Sequence, residues 1–199
     1  MKILVACERF GRVRDAFRAR GHDAYSCDTE PDANGSPYHY RQDVLPLLEY
    51  EWNMLLAFPP CTYLCVSGIH WNSRVPGRRE KTEEALAFVF QLMRARIPRI
   101  AIENPAGIIS TRICRPRQYI QPWQFGEPYS KMTGLWLKGL PNLVPTNILE
   151  PEAFQQNGRP RWRNQTGTGQ NRLGPSPTRA AERGRTYAGI AAAMAEQWG

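Results

Sequence analysis

The chain has 199 residues, of which 42% are hydrophobic, and its formal net charge is +8 at pH 7. This length and hydrophobic content suit one globular domain and exclude a chain that is disordered throughout. No apolar stretch approaches membrane-spanning length, so we expect no membrane partner. The excess of positive charge favours a polyanionic partner, although a solvated basic surface without any ligand explains it as well.

Cysteine and histidine usage limits the compartment and the chemistry. The five cysteines are odd in number and scattered, and the sequence enters a strand-like run at once without a signal peptide. We therefore expect a reducing, cytoplasmic environment. No Cys-x-x-Cys is present and the three histidines lie far apart, so we expect no metal.

The first hundred residues alternate between strand-like and helix-like patterns. In chain order, these patterns predict a strand at 2–6, a helix at 13–20, a strand at 24–27, a turn-rich loop at 31–40, a short element from Asp43, a strand at 54–58, a polar loop at 62–79, a helix at 80–96 and a strand at 99–102. Strands and helices that alternate in this way predict an α/β fold with a mostly parallel sheet.

The second half of the chain is less regular. Residues 133–137 predict a late strand, which we expect to be an antiparallel edge of the sheet, and residues 187–198 predict a helix. Between them, residues 141–177 are rich in Pro, Gly, Asn and Gln, with interleaved arginines. We predict one domain over 1–199: a catalytic core at 1–140, a basic substrate-contact region at 141–177 and a C-terminal helix, within 178–199, that packs on the core.

Four polar side chains follow predicted strands at the point where each strand ends. They are Glu8, Asp28, Cys61 and Glu103. Because ligands of open α/β sheets bind beyond the carboxyl ends of the strands, we expect these groups along one rim. Each also has a structural explanation: Glu8 as a helix cap, Asp28 as a turn residue and Cys61 as a small buried hydrophobe.

Two of these side chains belong to motifs that carry chemistry. A Pro-Pro-Cys run ends at Cys61, and a Glu-Asn-Pro run begins at Glu103. A thiolate that adds to C6 of a pyrimidine, beside a carboxyl group at N3, activates the ring. The pairing therefore predicts covalent attack on a pyrimidine base.

The motifs resemble those of the cytosine-C5 DNA methyltransferases, in which a catalytic Pro-Cys precedes a Glu-Asn-Val/Pro. Residues 3–11, the helix that ends at Arg20-Gly21-His22, and Asp28 are similar to the cofactor-binding start of that family. The chain as a whole resembles short methyltransferase-like proteins of phages and prophages. The resemblance implies a Rossmann-like fold for S-adenosylmethionine, with helices on both faces of the sheet.

The resemblance also implies the residues that hold S-adenosylmethionine. The backbone around residues 6–11 would wrap the amino-acid moiety, Asp28 would bind the ribose and Asp43 the adenine amine. Asp43 as a cap before Val44 is an equally good interpretation. Phe10 or Pro60 packs against the adenine. The implied cofactor-binding residues are Cys7, Glu8, Phe10, Gly11, Asp28, Asp43 and Pro60.

The catalytic roles that the resemblance implies are those of covalent base methylation. Cys61 is the nucleophile, and Glu103 contacts N3 and the 4-amino group, oriented by Asn104. The full implied catalytic set is Cys61, Glu103, Asn104, Pro60 and Lys131. Cys65 is interpreted as structural.

The sequence also departs from the family pattern. Gly11 is the only glycine left in the cofactor loop, and the Phe-Gly-x-Pro stretch at 125–128 is followed by Tyr129, Lys131 and Thr133 where Gln, Arg and Arg are usual. A large target-recognition domain is absent, so we expect low sequence specificity. The predicted substrate contacts are Arg161, Trp162, Arg163, Gln165, Asn171 and Arg172. A flexible basic loop is the alternative.

Three functional hypotheses follow. The first is a DNA cytosine-C5 methyltransferase that acts on a single strand or on a base flipped out of a duplex. The second is a relative that modifies pyrimidines in a nucleotide or in RNA. The third is a catalytically silent binding protein of the same fold. The segment from Tyr187 resembles the family's final motif beside the cofactor pocket, although core packing explains it equally well.

Overall fold

The computed structural model describes residues 1–154, 158–167, 172 and 184–199. The strands are β1 Lys2–Ala6, β2 Asp23–Asp28, β3 His39–Arg41, β4 Met54–Ala57, β5 Arg99–Pro105, β6 Gln118–Ile120, β7 Thr133–Lys138, β8 Ala153–Phe154 and β9 Pro160–Arg161. The α-helices are α1 Arg12–Ala19, α2 Val66–Ile69, α3 Arg78–Arg94, α4 Ile109–Arg112 and α5 Ala188–Trp198. The 3₁₀-helices are Leu45–Glu49, His70–Ser73 and Pro122–Gln124.

Seven of the strands form one mixed sheet in the order β3-β2-β1-β4-β5-β7-β6. β1 to β5 run parallel, and β7 is antiparallel to both of its neighbours. The strand order reverses between β1 and β4, which creates a crevice at their carboxyl ends. The predicted α/β, Rossmann-like fold with a mostly parallel sheet is confirmed.

Helices cover both faces of the sheet because the central strands are apolar on both sides. Along β1, Ile3 and Val5 pack into the core beneath α1 and α5, whereas Leu4 and Ala6 pack into the core beneath α3. All four side chains are completely buried. A side-chain period of two residues thus serves two separate cores, as is typical of buried parallel strands.

The edges of the sheet differ from the sequence prediction. β3 includes the end of the stretch predicted as a turn-rich loop, and β6 was not predicted at all. β7 is antiparallel as expected, but it lies inside the sheet because β6 covers it. Both missed strands are three-residue edge strands, too short to show a hydrophobic period.

The region that surrounds the two motifs is more ordered than predicted. The predicted loop at 62–79 holds α2 and the 3₁₀-helix His70–Ser73, and α3 begins at Arg78. β5 continues through the Glu-Asn-Pro motif to Pro105, since β7 pairs with it from Glu103↔Leu135 to Pro105↔Thr133. Glu103 is therefore held by the sheet itself.

A buried ion pair fastens the loop after β2 to α1. The Arg14 guanidinium lies 2.6 Å from the Asp32 carboxylate, and it also donates to Ser26 Oγ at 2.8 Å. Burial alone would raise the pKa of Asp32, but hydrogen bonds from the Ser36 backbone and from Arg14 hold this pKa below its ordinary value. The pair fixes the loop that follows Asp28.

Candidate active site at the carboxyl ends of the strands

The carboxyl ends of β1, β4 and β5 border a cavity of about 680 Å³. It lies at the point where the strand order reverses, the usual ligand position in such sheets. Cys61, Glu103 and Lys131 all line this cavity. The sequence motifs, which are far apart along the chain, therefore meet in one place.

Cys61 lies in the turn that follows β4. Its carbonyl accepts hydrogen bonds from the backbone N–H groups of Leu64 and Cys65, both at 3.0 Å. The hydrogen-bonded Cys65 thiol, followed by burial, raises the pKa of Cys61; Glu103 adds to this effect and Lys131 opposes it. The resting candidate nucleophile is a neutral thiol, so it must lose its proton before it can attack.

Glu103 and Lys131 form an ion pair beside the thiol. Lys131 Nζ lies 3.6 Å from Glu103 Oε1, and both side chains are largely buried. Lys131 comes from the loop before β7, whose backbone is held by Gln121: the Lys131 N–H donates to Gln121 Oε1 at 2.9 Å. The cavity thus holds the Cys61 thiol together with the Glu103 carboxylate and the Lys131 ammonium group.

Asn104 joins the two motifs directly. Its Nδ2 donates to the Pro59 carbonyl at 2.8 Å, and its side chain is completely buried. Its Oδ1 has no hydrogen-bond partner among the described residues. The Asn of the Glu-Asn-Pro motif therefore holds the Pro-Pro turn that carries Cys61.

The loop after β1 contains two residues in the left-handed backbone conformation, and only one of them is a glycine. Cys7 adopts a left-handed conformation with φ 59°, and Gly11 does so with φ 66°. A side chain at Gly11 would overlap the Arg14 guanidinium. Arg14 therefore fills the space beside Gly11, and Gly11 is not among the residues that line the cavity; its contact with a cofactor stays a prediction.

Glu8 combines a helix cap with a position at the cavity. Its carboxylate accepts hydrogen bonds from the backbone N–H groups of Val13 at 2.6 Å and Arg14 at 3.2 Å. Burial raises the pKa of Glu8 to about 7, against the lowering effect of these two bonds. The alternative role of Glu8 as a helix cap is thus confirmed; the contact with a cofactor stays a prediction.

A second cavity of about 480 Å³ adjoins the first. The two share Cys7, Asp28 and the Pro59-Pro60 turn as lining residues. Asp43 lines the second cavity, and its carboxylate also accepts the Leu45 N–H at 3.0 Å, so it is a turn cap as well.

The C-terminal helix lies beside the larger cavity. Gly189 packs so closely on the Phe125 carbonyl that a side chain there would overlap it, and its N–H donates to Glu127. Just before the helix, Thr186 lines the cavity. Arg185 lies over the ring of Phe10, 4.3 Å from its centroid, so this ring already has a partner at the cavity edge.

The predicted base-stacking role of Trp162 is wrong. Its ring is only 6% exposed and stacks on Trp123, with centroids 5.4 Å apart and an interplanar angle of 7°. The ring fills an internal position and cannot offer a face to a base.

The polar groups around Trp162 mostly bond to one another. Arg163 pairs with Glu152 at 2.8 Å. Arg161 donates to the Gly167 carbonyl, and Arg172 donates to the Gln165 carbonyl. None of these residues lines the larger cavity. Asn171, together with Gln170, lies outside the described residues.

Several residues at the cavity were missed by the sequence analysis, among them three with large polar or aromatic side chains. Arg9, Trp71 and Arg78 line it, and the Nε atoms of Arg9 and Arg78 are buried without a hydrogen-bond partner in the described part of the chain. The available signals were the arginine directly after Glu8, and the tryptophan and arginines in the polar segment between Cys61 and the next helix.

Metal-binding clusters and membrane-crossing helices are both absent from the described residues. These residues hold no group of three or more His, Cys, Asp and Glu side chains arranged for a metal ion. None of their helices has the length and apolar content that a membrane crossing requires.

No protein-family model matches the sequence, and no curated protein matches it. Among solved structures, a protein described as a DNA modification methyltransferase of an E. coli prophage is 12% identical, with TM-score 0.49, over 78% of this chain and 56% of its own. An E. coli rRNA methylase is 15% identical, with TM-score 0.41, over 69% and 56%. The S. pombe Dnmt2 methyltransferase is 16% identical, with TM-score 0.44, over 71% and 51%.

The chain thus spans about half the length of these three structures.

Proposed function

We propose that this protein transfers a methyl group from S-adenosylmethionine to C5 of cytosine in DNA, through a transient bond between Cys61 and C6. The observation that carries the proposal is the meeting of Cys61, Glu103 and Lys131 in one cavity at the switch point of the sheet. Each group comes from a different loop or strand, and each has a role in covalent activation of a pyrimidine.

The second cavity fits the nucleoside part of the cofactor. Asp28, at the end of β2, supplies a carboxylate at the junction of the two cavities, where ribose hydroxyls are held in related dinucleotide folds. Apolar surface from Pro60 and Phe88 lines the same space and suits a purine ring. When bound, S-adenosylmethionine supplies an electrophilic methyl group.

The thiol and the carboxyl group activate the base together. The Cys61 thiol gives up its proton, and its sulfur forms a bond to C6 while the ring electrons move toward N3. Glu103 shares the cavity, so its carboxylate is placed to accept the thiol proton and to deliver it to N3, which balances the charge. C5 is then a nucleophile. After methylation, water takes the proton from C5 and the sulfur departs as the thiolate. The N3 proton then returns through Glu103 to the sulfur, which restores the ring and the thiol.

Lys131 and Asn104 act on the two catalytic groups. The Lys131 ammonium favours the thiolate form of Cys61, since opposite charges within a few ångströms stabilise each other, and it forms an ion pair with Glu103. Asn104 is a positioning residue, because its bond to Pro59 fixes the turn before Cys61. Residues 1–140 supply all of these groups.

Transfer of labelled methyl groups to DNA tests this proposal. With labelled S-adenosylmethionine and cytosine-containing DNA, we expect incorporation by the wild type and none above background for Cys61→Ser. Glu103→Gln is expected to be slower by roughly 100-fold, as for loss of a general acid–base group. Cys114→Ser changes an exposed cysteine that does not line the cavity, so we expect it to retain the wild-type rate.

Three outcomes would contradict the proposal. Undiminished transfer by Cys61→Ser would exclude the covalent mechanism. Transfer to mononucleotides or RNA, with none to DNA, would favour the pyrimidine-modifying relative. Cofactor binding without any transfer would favour a silent binding protein.

A further inference from the structure

An exposed tryptophan stands at the mouth of the active-site cavity. Trp71 is 44% exposed and lines the cavity that holds Cys61. It belongs to the segment at residues 66–79, here called the rim segment. The Arg74 guanidinium lies over the Trp71 ring, 5.7 Å from its centroid. An exposed ring with an adjacent cation is the combination on which nucleic-acid bases stack.

The rim segment is fastened to the turn that carries Cys61. Arg78 donates from Nη2 to the Thr62 carbonyl at 3.0 Å and to the Gly68 carbonyl at 3.3 Å. Its guanidinium also lies 4.8 Å from the centroid of the Tyr63 ring. The position of Trp71 relative to the thiol is therefore set by hydrogen bonds.

The same aromatic–arginine pair occurs elsewhere without a cavity. On α3, Phe90 is 47% exposed and the Arg94 guanidinium lies 5.5 Å from its ring centroid. Neither residue lines either of the two adjoining cavities. Exposure and pairing alone are thus common to both sites, and only the Trp71 pair adjoins the catalytic groups.

We propose that the rim segment binds an unpaired nucleic-acid strand: the base next to the target stacks on Trp71, and Arg74 contacts the adjoining phosphate. The proposal rests on the proposed function in one respect, that a base of the strand occupies the cavity. In a duplex, the flanking bases are paired and stacked on their neighbours, so their faces are not available to Trp71. A single strand exposes those faces, and its phosphates suit the basic rim.

Binding measurements with matched strands test the proposal. The ligands are a short fluorescent cytosine-containing DNA strand, the RNA strand of the same sequence, and the DNA duplex. Binding of each ligand is measured by fluorescence anisotropy without cofactor. We expect a single strand to bind at least about 10-fold more tightly than the duplex. Trp71→Ala should weaken this binding about 10-fold, whereas Phe90→Ala should leave it within about twofold. Whichever of the DNA and RNA strands binds more tightly shows whether the rim segment prefers deoxyribose or ribose.

The salt dependence separates the phosphate contact from stacking. Loss of one phosphate contact lowers the slope of log affinity against log salt by about 0.7 for a single strand. We expect this change in Arg74→Ala and no change in Arg94→Ala. Because Trp71 and Phe90 are exposed, all four variants should keep the wild-type circular dichroism spectrum and unfolding midpoint.

Equal or tighter binding of the duplex would overturn the proposal, as would equal losses in Trp71→Ala and Phe90→Ala. The Cys61→Ser variant keeps this failure distinct from failure of the proposed function. If that variant binds the strand in a Trp71-dependent way and the wild type transfers no methyl group, the rim surface stands and the methyltransferase proposal fails. If methyl groups are transferred to duplex DNA and not to single strands, the methyltransferase proposal stands and the rim-segment proposal fails.

Discussion

Two segments of this protein have the same basic and aromatic composition but opposite exposure. The rim segment and the hairpin segment, defined as residues 158–167, each contain three arginines and one tryptophan. Trp71 of the rim segment is exposed at the cavity, whereas Trp162 of the hairpin segment is buried against Trp123. The Trp71 ring also has a ring neighbour, since the His70 centroid lies 5.0 Å away, but Trp71 stays 44% exposed. The difference shows that burial in the fold, and not local composition, decides whether a tryptophan ring is open to a ligand.

The cations follow the same division. In the hairpin segment, Arg163 pairs with Glu152 and Arg161 bonds to the backbone of its own segment. In the rim segment, Arg78 holds the turn after Cys61 and Arg74 lies over the exposed Trp71 ring. The arginines of the hairpin segment bond within the protein. In the rim segment, Arg78 lines the cavity and Arg74 lies over a ring that lines it.

The comparison is tested most strongly by removing each tryptophan. Trp162→Ala deletes a buried, stacked ring, so we expect it to lower the free energy of unfolding by about 3–5 kcal/mol. Trp71→Ala should leave the free energy of unfolding unchanged, because its ring is exposed. Urea denaturation of both variants measures the difference. Equal stability of the two variants would show that Trp162 is not the anchor of the hairpin segment.

A second prediction concerns the loop after β1, which begins at Cys7 and Glu8 and also lines the cavity. It is tested by the pH dependence of the unfolding free energy. The pKa of Glu8 is about 7 in the folded protein, above its ordinary 4.5, so the folded state holds a proton that the unfolded chain has lost. Stability therefore falls as the pH rises from 5 to 8, by about 2–3 kcal/mol from this group. The Asp32 pKa, which is lowered from 3.8, acts only below about pH 4.

Glu8→Gln should remove this dependence. The unfolding free energy is measured in urea at pH 5 and at pH 8. We expect the difference between the two pH values to be smaller in the variant than in the wild type by about 2–3 kcal/mol. An identical pH dependence in the variant would mean that the Glu8 carboxylate is ionised throughout, as its two backbone hydrogen bonds alone would favour.

Release of the turn that leads into the rim segment is a smaller change. Asn104→Ala removes the hydrogen bond to Pro59, and we expect a loss of about 1–2 kcal/mol in unfolding free energy. Because the turn carries Cys61, methyl transfer should fall through kcat. Since Pro59 and Pro60 also line the proposed cofactor cavity, the KM for S-adenosylmethionine should rise as well. A normal kcat in a destabilised variant would restrict Asn104 to a structural role.

The sequence was sufficient for the central sheet and for the meeting of Cys61 with Glu103. Strands β1, β4 and β5 are short apolar runs followed by polar motifs, and that pattern is local. The polar motifs meet because parallel strands end at the same edge of a sheet.

Other features depend on contacts between distant residues. The burial of Trp162 depends on Trp123, and the ion pair of Arg14 depends on Asp32; neither partner is indicated by spacing along the chain. The internal position of β7 likewise depends on β6, which is too short for a visible pattern. Trp71 was missed because the segment after Cys61 has no clear period and was interpreted as a loop.

Trapping on DNA that contains 5-fluorocytosine tests the central claim most directly, since fluorine at C5 blocks the step that releases the sulfur. With S-adenosylmethionine present, we expect a denaturation-resistant complex whose peptide map places the methylated base on Cys61, and no such complex with Cys61→Ser. A wild-type protein that binds the same DNA and cofactor but forms no covalent complex would contradict the account.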